Sequence, residues 1–149
     1  MDGRKHTVLV ADNDRMARER IVGAVLDADP TAVIVEAESG RQAMELMREL
    51  NRKGQGPDLS ILDLYMWPGT GREAAELAHK LGLAARVVSS SEPLSSRAQN
   101  ETTDKTAALE CVKCWIAEVD RAAPKAPPPK KPRRKRRTLW WRALLSSPA

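Results

Sequence analysis

The sequence has no phenylalanine, and aromatic residues make up only 3% of its 149 positions. Hydrophobic residues reach 42%, which is enough for an ordinary core, so that core is expected to be aliphatic. No run of about eighteen apolar residues is present to span a membrane. The apolar stretch in "MDGRKHTVLVADND" is also too short for a signal peptide, and the expected location is cytoplasmic. Two cysteines, Cys111 and Cys114, cannot form a disulfide framework, in keeping with a reducing compartment. No internal repeat is visible, which argues against a solenoid.

Negative charge is missing from one end of the chain. Of the 25 Lys/Arg residues, ten lie in residues 121–149, and none of the 20 Asp/Glu residues do. Residues 1–120 are thus left with fifteen basic against twenty acidic side chains, an acidic body carrying a basic tail. The shift falls in "RAAPKAPPPKKPRRKRR", where Pro124, Pro127, Pro128, Pro129 and Pro132 remove backbone donors and favour extended over helical structure. A folded domain over residues 1–120 and a disordered tail over residues 121–149 are expected.

The body alternates strand-like and helix-like segments. Strand candidates are "TVLVA" (7–11), "AVIVEA" (32–37), "DLSILDL" (58–64) and "AARVVSS" (84–90). Between them lie "DRMARERIVGAVLDAD", with Met16, Ile21 and Leu26 at helical spacing, and "SGRQAMELMRELNRK". In the latter Ser39 is a candidate cap, and Ala43, Met44, Met47 and Leu50 form an apolar stripe. The helix "GREAAELAHKLG" should stop at Gly82. This alternation predicts an α/β fold, a doubly wound parallel sheet covered on both faces. In such sheets ligands collect outside the carboxyl ends of the strands at a topological switch point. Asp12, Asn13 and Asp14 follow the first strand and Asp63 ends the third, so their oxygens should gather at one edge. Clustered carboxylates repel, and a hard cation such as Mg²⁺ relieves that repulsion.

"VLVADNDRMARERI", "VEAESGRQAMELM" and "PDLSILDLYMWPGTG" resemble, in order, blocks of the receiver domain of two-component response regulators, a flavodoxin-like fold. The resemblance covers about residues 6–91. It implies that Asp63 is the phosphoacceptor and that Asp12, Asn13, Asp63 and the backbone carbonyl of Tyr65 hold Mg²⁺. It further implies that Ser89, with Ser90 and Ser91 as register alternatives, is the switch hydroxyl, and that Lys105 pairs with the phosphoryl group. The implied partner is a sensor histidine kinase or a phosphotransfer protein. With no winged-helix or helix-turn-helix segment recognisable, a stand-alone receiver is expected.

The sequence departs from the family pattern at several places. Asn13 stands where a metal-binding carboxylate is usual, unless Asp14 substitutes for it. Trp67 is inserted before Pro68, either to shield the acceptor or, as the favoured reading, to pack on the next helix. The segment "SEPLSSRAQNETTDKTAALECVKCWIAEV" is too short for the usual helix, strand and helix, and "NETTD" has no apolar strand character. Lys105 precedes Thr106 rather than proline, so a place in the first turn of a helix capped by Thr103 or Asp104 is the favoured alternative to a catalytic role. No aromatic residue precedes Lys105 to complete a hydroxyl-to-aromatic switch.

Cys111 and Cys114, three residues apart on one helix, lack two further zinc ligands at a suitable spacing and read as helix thiols. The tail packs seven basic residues into the eight positions of "KKPRRKRR", followed by "TLWWRALL". Residues 130–142 could contact nucleic acid, with strong salt dependence, or an anionic membrane surface. A solvated tail without a partner is the alternative.

Overall fold

The four apolar runs are strands, and the amphipathic segments between them are helices. The computed structural model describes residues 5–89 and 102–122. In chain order the elements are β1 (Thr7–Ala11), α1 (Arg15–Ala28), β2 (Val33–Ala37), α2 (Gly40–Arg52), β3 (Leu59–Asp63), α3 (Gly71–Lys80), β4 (Ala85–Ser89), β5 (Thr102–Asp104) and α4 (Lys105–Ala122). All neighbouring strands pair in parallel, in the order β2-β1-β3-β4-β5. The chain steps from β1 to β2 on one side and then to β3 on the other, which puts the switch point between β1 and β3.

β3 lies at the centre of the sheet, and all five of its residues are buried. A parallel strand covered by helices on both faces has no solvent side, hence its largely apolar sequence and the burial even of Ser60 and Asp63. Alternation along the strands divides the core into two layers. Val8, Val10, Leu59, Ile61 and Val88 pack with Ile21 and Val25 of α1 and with Ala108, Val112, Trp115 and Ile116 of α4. Leu9, Ala11 and Leu62 face Ala43 and Met47 of α2 and Ala74 and Ala78 of α3 on the other side. The core is aliphatic as expected apart from Trp115, whose ring also lies under the Arg86 guanidinium, 5.6 Å from it.

Each helix starts on a side chain that satisfies a free amide. Asp14 accepts from the Met16 amide at 3.0 Å, Ser39 from Gln42 at 3.1 Å, Thr70 from Glu73 at 3.2 Å and Asp104 from Thr106 at 2.8 Å. Ser39 is therefore the cap that its position suggested.

Two expectations are corrected. Residues 102–104 form a fifth strand despite having no apolar character. Parallel pairing with β4 supplies the backbone hydrogen bonds at this short edge position. On α1 the inward stripe is Arg18, Ile21 and Val25, while Met16 and Leu26 are 66% and 38% exposed. Of the three apolar residues at helical spacing, only Ile21 belongs to the buried stripe.

The ends of α1 and α4 meet the start of β1 through one side chain. His6 Nδ1 lies 2.6 Å from Asp29 and its Nε2 lies 2.5 Å from Asp120. Burial lowers the His6 pKa, but the hydrogen bonds and charges of Asp29 and Asp120 outweigh it and hold the value above the ordinary one.

The loop after β3 is locked by backbone contacts. The Gly40 and Arg41 amides at the start of α2 donate to the Met66 and Pro68 carbonyls at 3.0 and 2.9 Å, and the Gly71 amide donates to the Leu64 carbonyl at 3.1 Å. Such close approach leaves no room for side chains. A Cβ on Gly71 would sit 2.2 Å from the Asp63 carbonyl oxygen, and one on Gly40 would sit 2.5 Å from the Gly69 carbonyl carbon. Gly71→Ala should therefore cost about 2 kcal/mol or more in urea unfolding. Gly23→Ala, in the interior of α1 where an added methyl meets nothing within 4 Å, should instead stabilise by about 0.5–1 kcal/mol.

Candidate functional site

The site forms where β1 and β3 end side by side. Ala11 pairs with Leu62, so Asp12 and Asp63 follow at matching positions of neighbouring strands. Both are withdrawn from solvent, at 0% and 4% exposure. Lys105, the first residue of α4, extends its ammonium between them, with Nζ 2.8 Å from Asp12 Oδ2 and 3.5 Å from Asp63 Oδ1. The expected alternatives for Lys105 turn out to be compatible: it lies in the first turn of a helix capped by Asp104, and from there it reaches both carboxylates. The strand β5 delivers it by ending beside β4, with Asp104 opposite Ser89.

Asp12 is fixed from several directions. Its amide donates to the Ala37 carbonyl at 3.0 Å, its Oδ1 accepts from the Asp14 amide at 2.9 Å, and its carbonyl accepts from Arg18 at 2.7 Å. Oδ2 is fully buried, and its ion pair with Lys105 lies outside hydrogen-bond geometry. A buried carboxylate oxygen in that condition, beside a second carboxylate, suits a hard cation that takes one or two carboxylates and keeps several waters. Among the described residues no three His, Cys, Asp or Glu side chains gather as a metal cluster, so two carboxylates are the full charged donor set.

The other sequence-predicted residues fall in different places. Ser89 ends β4, buried, one step beyond the Val88 that pairs with Asp63. Ser90 and Ser91 lie outside the described residues, as does the basic stretch 130–142. The Tyr65 backbone amide acts to lower the Asp63 pKa, and Tyr65 itself is 60% exposed. Asn13 is exposed, and Asp14, its candidate substitute, caps α1 instead. Trp67 is 85% exposed, which overturns the expected packing on the next helix, because the Pro68–Thr70 turn is folded against Gly40 and Arg41 rather than under the indole. Cys111 is partly buried and Cys114 exposed on α4, both as free thiols.

Arg18 was not foreseen. It was legible as a charge at the first inward position of the α1 stripe, where a bare cation is costly unless paired.

Burial, followed by the Asp12 charge, pushes the Asp63 carboxyl up to about 6, against the opposing pull of Lys105 and the Tyr65 amide. Burial alone would lower Lys105, but its close contact with Asp12 and the charges of both carboxylates outweigh that and raise it. With its folded value above the ordinary carboxylate value of 3.8, Asp63 contributes stability that is full at low pH and is lost as the pH rises through about 6. In metal-free buffer at about pH 8, Asp63→Asn should thus be more stable than the parent chain, by on the order of 1–2 kcal/mol. The gain should fade toward about pH 4, and thermal unfolding across that range checks it. An Asn variant that melts lower at high pH would contradict this account.

No protein-family model matches the chain, and no match is found among curated proteins. Solved structures do match. The signal receiver domain of the response regulator NarL from Mycobacterium tuberculosis is similar at 22% identity and TM-score 0.62, over 80% of this chain and 99% of that one. A two-component response regulator from Cytophaga hutchinsonii is similar at 20% identity and TM-score 0.67, over 79% and 99%. The receiver domain of the histidine kinase CKI1 from Arabidopsis thaliana, complexed with Mg²⁺ and BeF₃⁻, is similar at 21% identity and TM-score 0.58, over 78% and 90%. At these identities the likeness is one of architecture, and the chain has the flavodoxin-like fold of response-regulator receiver domains.

Proposed function

We propose that Asp63 accepts a phosphoryl group in two-component signalling, from a phosphohistidine of a sensor kinase or phosphotransfer protein or from a small phosphodonor. The observation that carries this reading is the Lys105 ammonium held between the Asp12 and Asp63 carboxylates at 2.8 and 3.5 Å. A carboxylate nucleophile has to meet an anionic donor, and a fixed cation beside it offsets that repulsion.

In the transfer an Asp63 oxygen bonds to phosphorus as the phosphorus–nitrogen bond of the donor breaks, and the electron pair leaves with the imidazole. With its pKa at about 6, Asp63 is mostly ionised and able to attack at neutral pH. Asp12 and Asp63, with Asn13 and the Tyr65 carbonyl as further oxygens, would hold Mg²⁺, which supplies charge neutralisation for the phosphoryl oxygens. The same fold binds Mg²⁺ with BeF₃⁻ in the CKI1 receiver domain. The acyl phosphate carries about −1.5 to −2 charges where the carboxylate carried −1, and Lys105 and the Ser89 hydroxyl are the groups that would take up its oxygens.

A second reading rests on Asn13, which is exposed and uncharged where a metal carboxylate is usual. Here the domain is a pseudo-receiver that does not take phosphate, and binding resides in the basic residues 130–142, toward nucleic acid or an anionic membrane surface.

Incubation with acetyl phosphate and Mg²⁺, followed by intact-mass analysis, separates the two. The first reading predicts a mass gain of one phosphoryl group, labile to hydroxylamine and absent in Asp63→Asn. A parent chain that stays unmodified at saturating metal excludes it. For the second reading, the full chain should bind DNA or anionic vesicles in a salt-dependent way and residues 1–120 should not. Equal, negligible binding by both would remove the tail as a binding segment.

A further inference from the structure

A buried arginine stands behind the acidic pair. Arg18 is 8% exposed and occupies the first inward position of α1, ahead of Ile21 and Val25. A guanidinium in that position is tolerated only where its donors are met. Its terminal nitrogen donates to the Asp12 carbonyl at 2.7 Å, its Nε donates to Glu36 at 3.0 Å, and its other terminal nitrogen lies 3.8 Å from Glu38. The planar fork therefore joins α1, the turn after β1 and the end of β2 in one cluster. Lysine, with a single charged nitrogen, could not span these acceptors.

The consequence falls on Asp12. With its amide held by Ala37, its Oδ1 by the Asp14 amide and its carbonyl by Arg18, the carboxylate has one orientation left, with Oδ2 toward Lys105. Glu36 pairs in register with Val10, two residues before Asp12, so the clamp is anchored on the strand next to the one it steadies.

We propose that Arg18 is a positioning residue for the acidic site: by clamping the Asp12 carbonyl against Glu36, it aims the Asp12 carboxylate toward Asp63 and sets how tightly the pair holds a divalent cation. The inference rests on the metal-binding part of the proposed function but not on phosphoryl transfer. Its test therefore reads Mg²⁺ binding alone.

Isothermal titration of the full chain with Mg²⁺ should give an affinity that Arg18→Met weakens about tenfold, in line with loss of an outer partner of a metal ligand. Arg18→Lys should restore little of it. Glu36→Gln leaves Arg18 in place and loosens one arm of the clamp, so it should weaken binding severalfold, and it carries the test if Arg18→Met does not fold. Val25→Ala, on the same inward stripe but remote from the clamp, should lower the melting temperature and leave the affinity unchanged. Undiminished affinity in folded Arg18→Met or in Glu36→Gln would overturn the proposal, as would an equal loss in Val25→Ala. A parent chain that takes up no Mg²⁺ would overturn it together with the metal site. A chain that binds Mg²⁺ through the clamp yet forms no phosphoryl adduct would refute only the proposed transfer.

Discussion

Two carboxylates are buried side by side at the ends of adjacent strands, and one ammonium holds them there. Lys105 offsets the repulsion between the Asp12 and Asp63 carboxylates, which lie close together out of water. Removing the ammonium would leave two buried like charges uncompensated, a loss that typically costs about 3–5 kcal/mol. Much of the surrounding structure can be read as what it takes to bring these three groups together. β1 and β3 must be neighbours, and α4 must begin at the same edge. The short strand β5 must also end beside β4 so that Lys105 starts its helix within reach.

The same constraint explains why the loop after Asp63 is built so tightly. Gly40, Gly69 and Gly71 let the starts of α2 and α3 close on the backbone that follows β3, and Gly69 also takes a positive φ of 84°. The Asp63 carboxylate thus sits next to backbone held by several hydrogen bonds, while Tyr65 and Trp67 extend into solvent beyond it. Arg18 does for the turn after β1 what the glycines do for the turn after β3. A site held this way can gain or lose charge without its side chains drifting apart, as the proposed phosphoryl transfer would need.

The strands β1 to β4 and the cap Ser39 could be read from the sequence because periodicity and capping are local signals. The edge that collects Asp12 and Asp63 was also legible, since parallel topology follows from the alternation of elements. What the sequence hid is non-local. "TTD" carries no strand pattern, and only pairing with β4 makes it one. Lys105 lacks its usual sequence context, yet that strand brings it to the carboxylates. The buried stripe of α1 includes an arginine that helical periodicity does not reveal, because its partner Glu36 lies on β2. Trp67 was misplaced because composition alone favours burying an indole, whereas the backbone turn leaves it outside.

The central claim is that Asp12, Lys105 and Asp63 together make a site for a phosphoryl group. Fluorine NMR of the chain with Mg²⁺ and beryllofluoride tests it most directly, because that anion mimics an acyl phosphate without requiring a kinase. The account predicts bound fluorine resonances that disappear on chelating the metal and in Asp63→Asn, and that weaken in Lys105→Met. Only free beryllofluoride signals at saturating Mg²⁺, from a chain that remains folded, would contradict it.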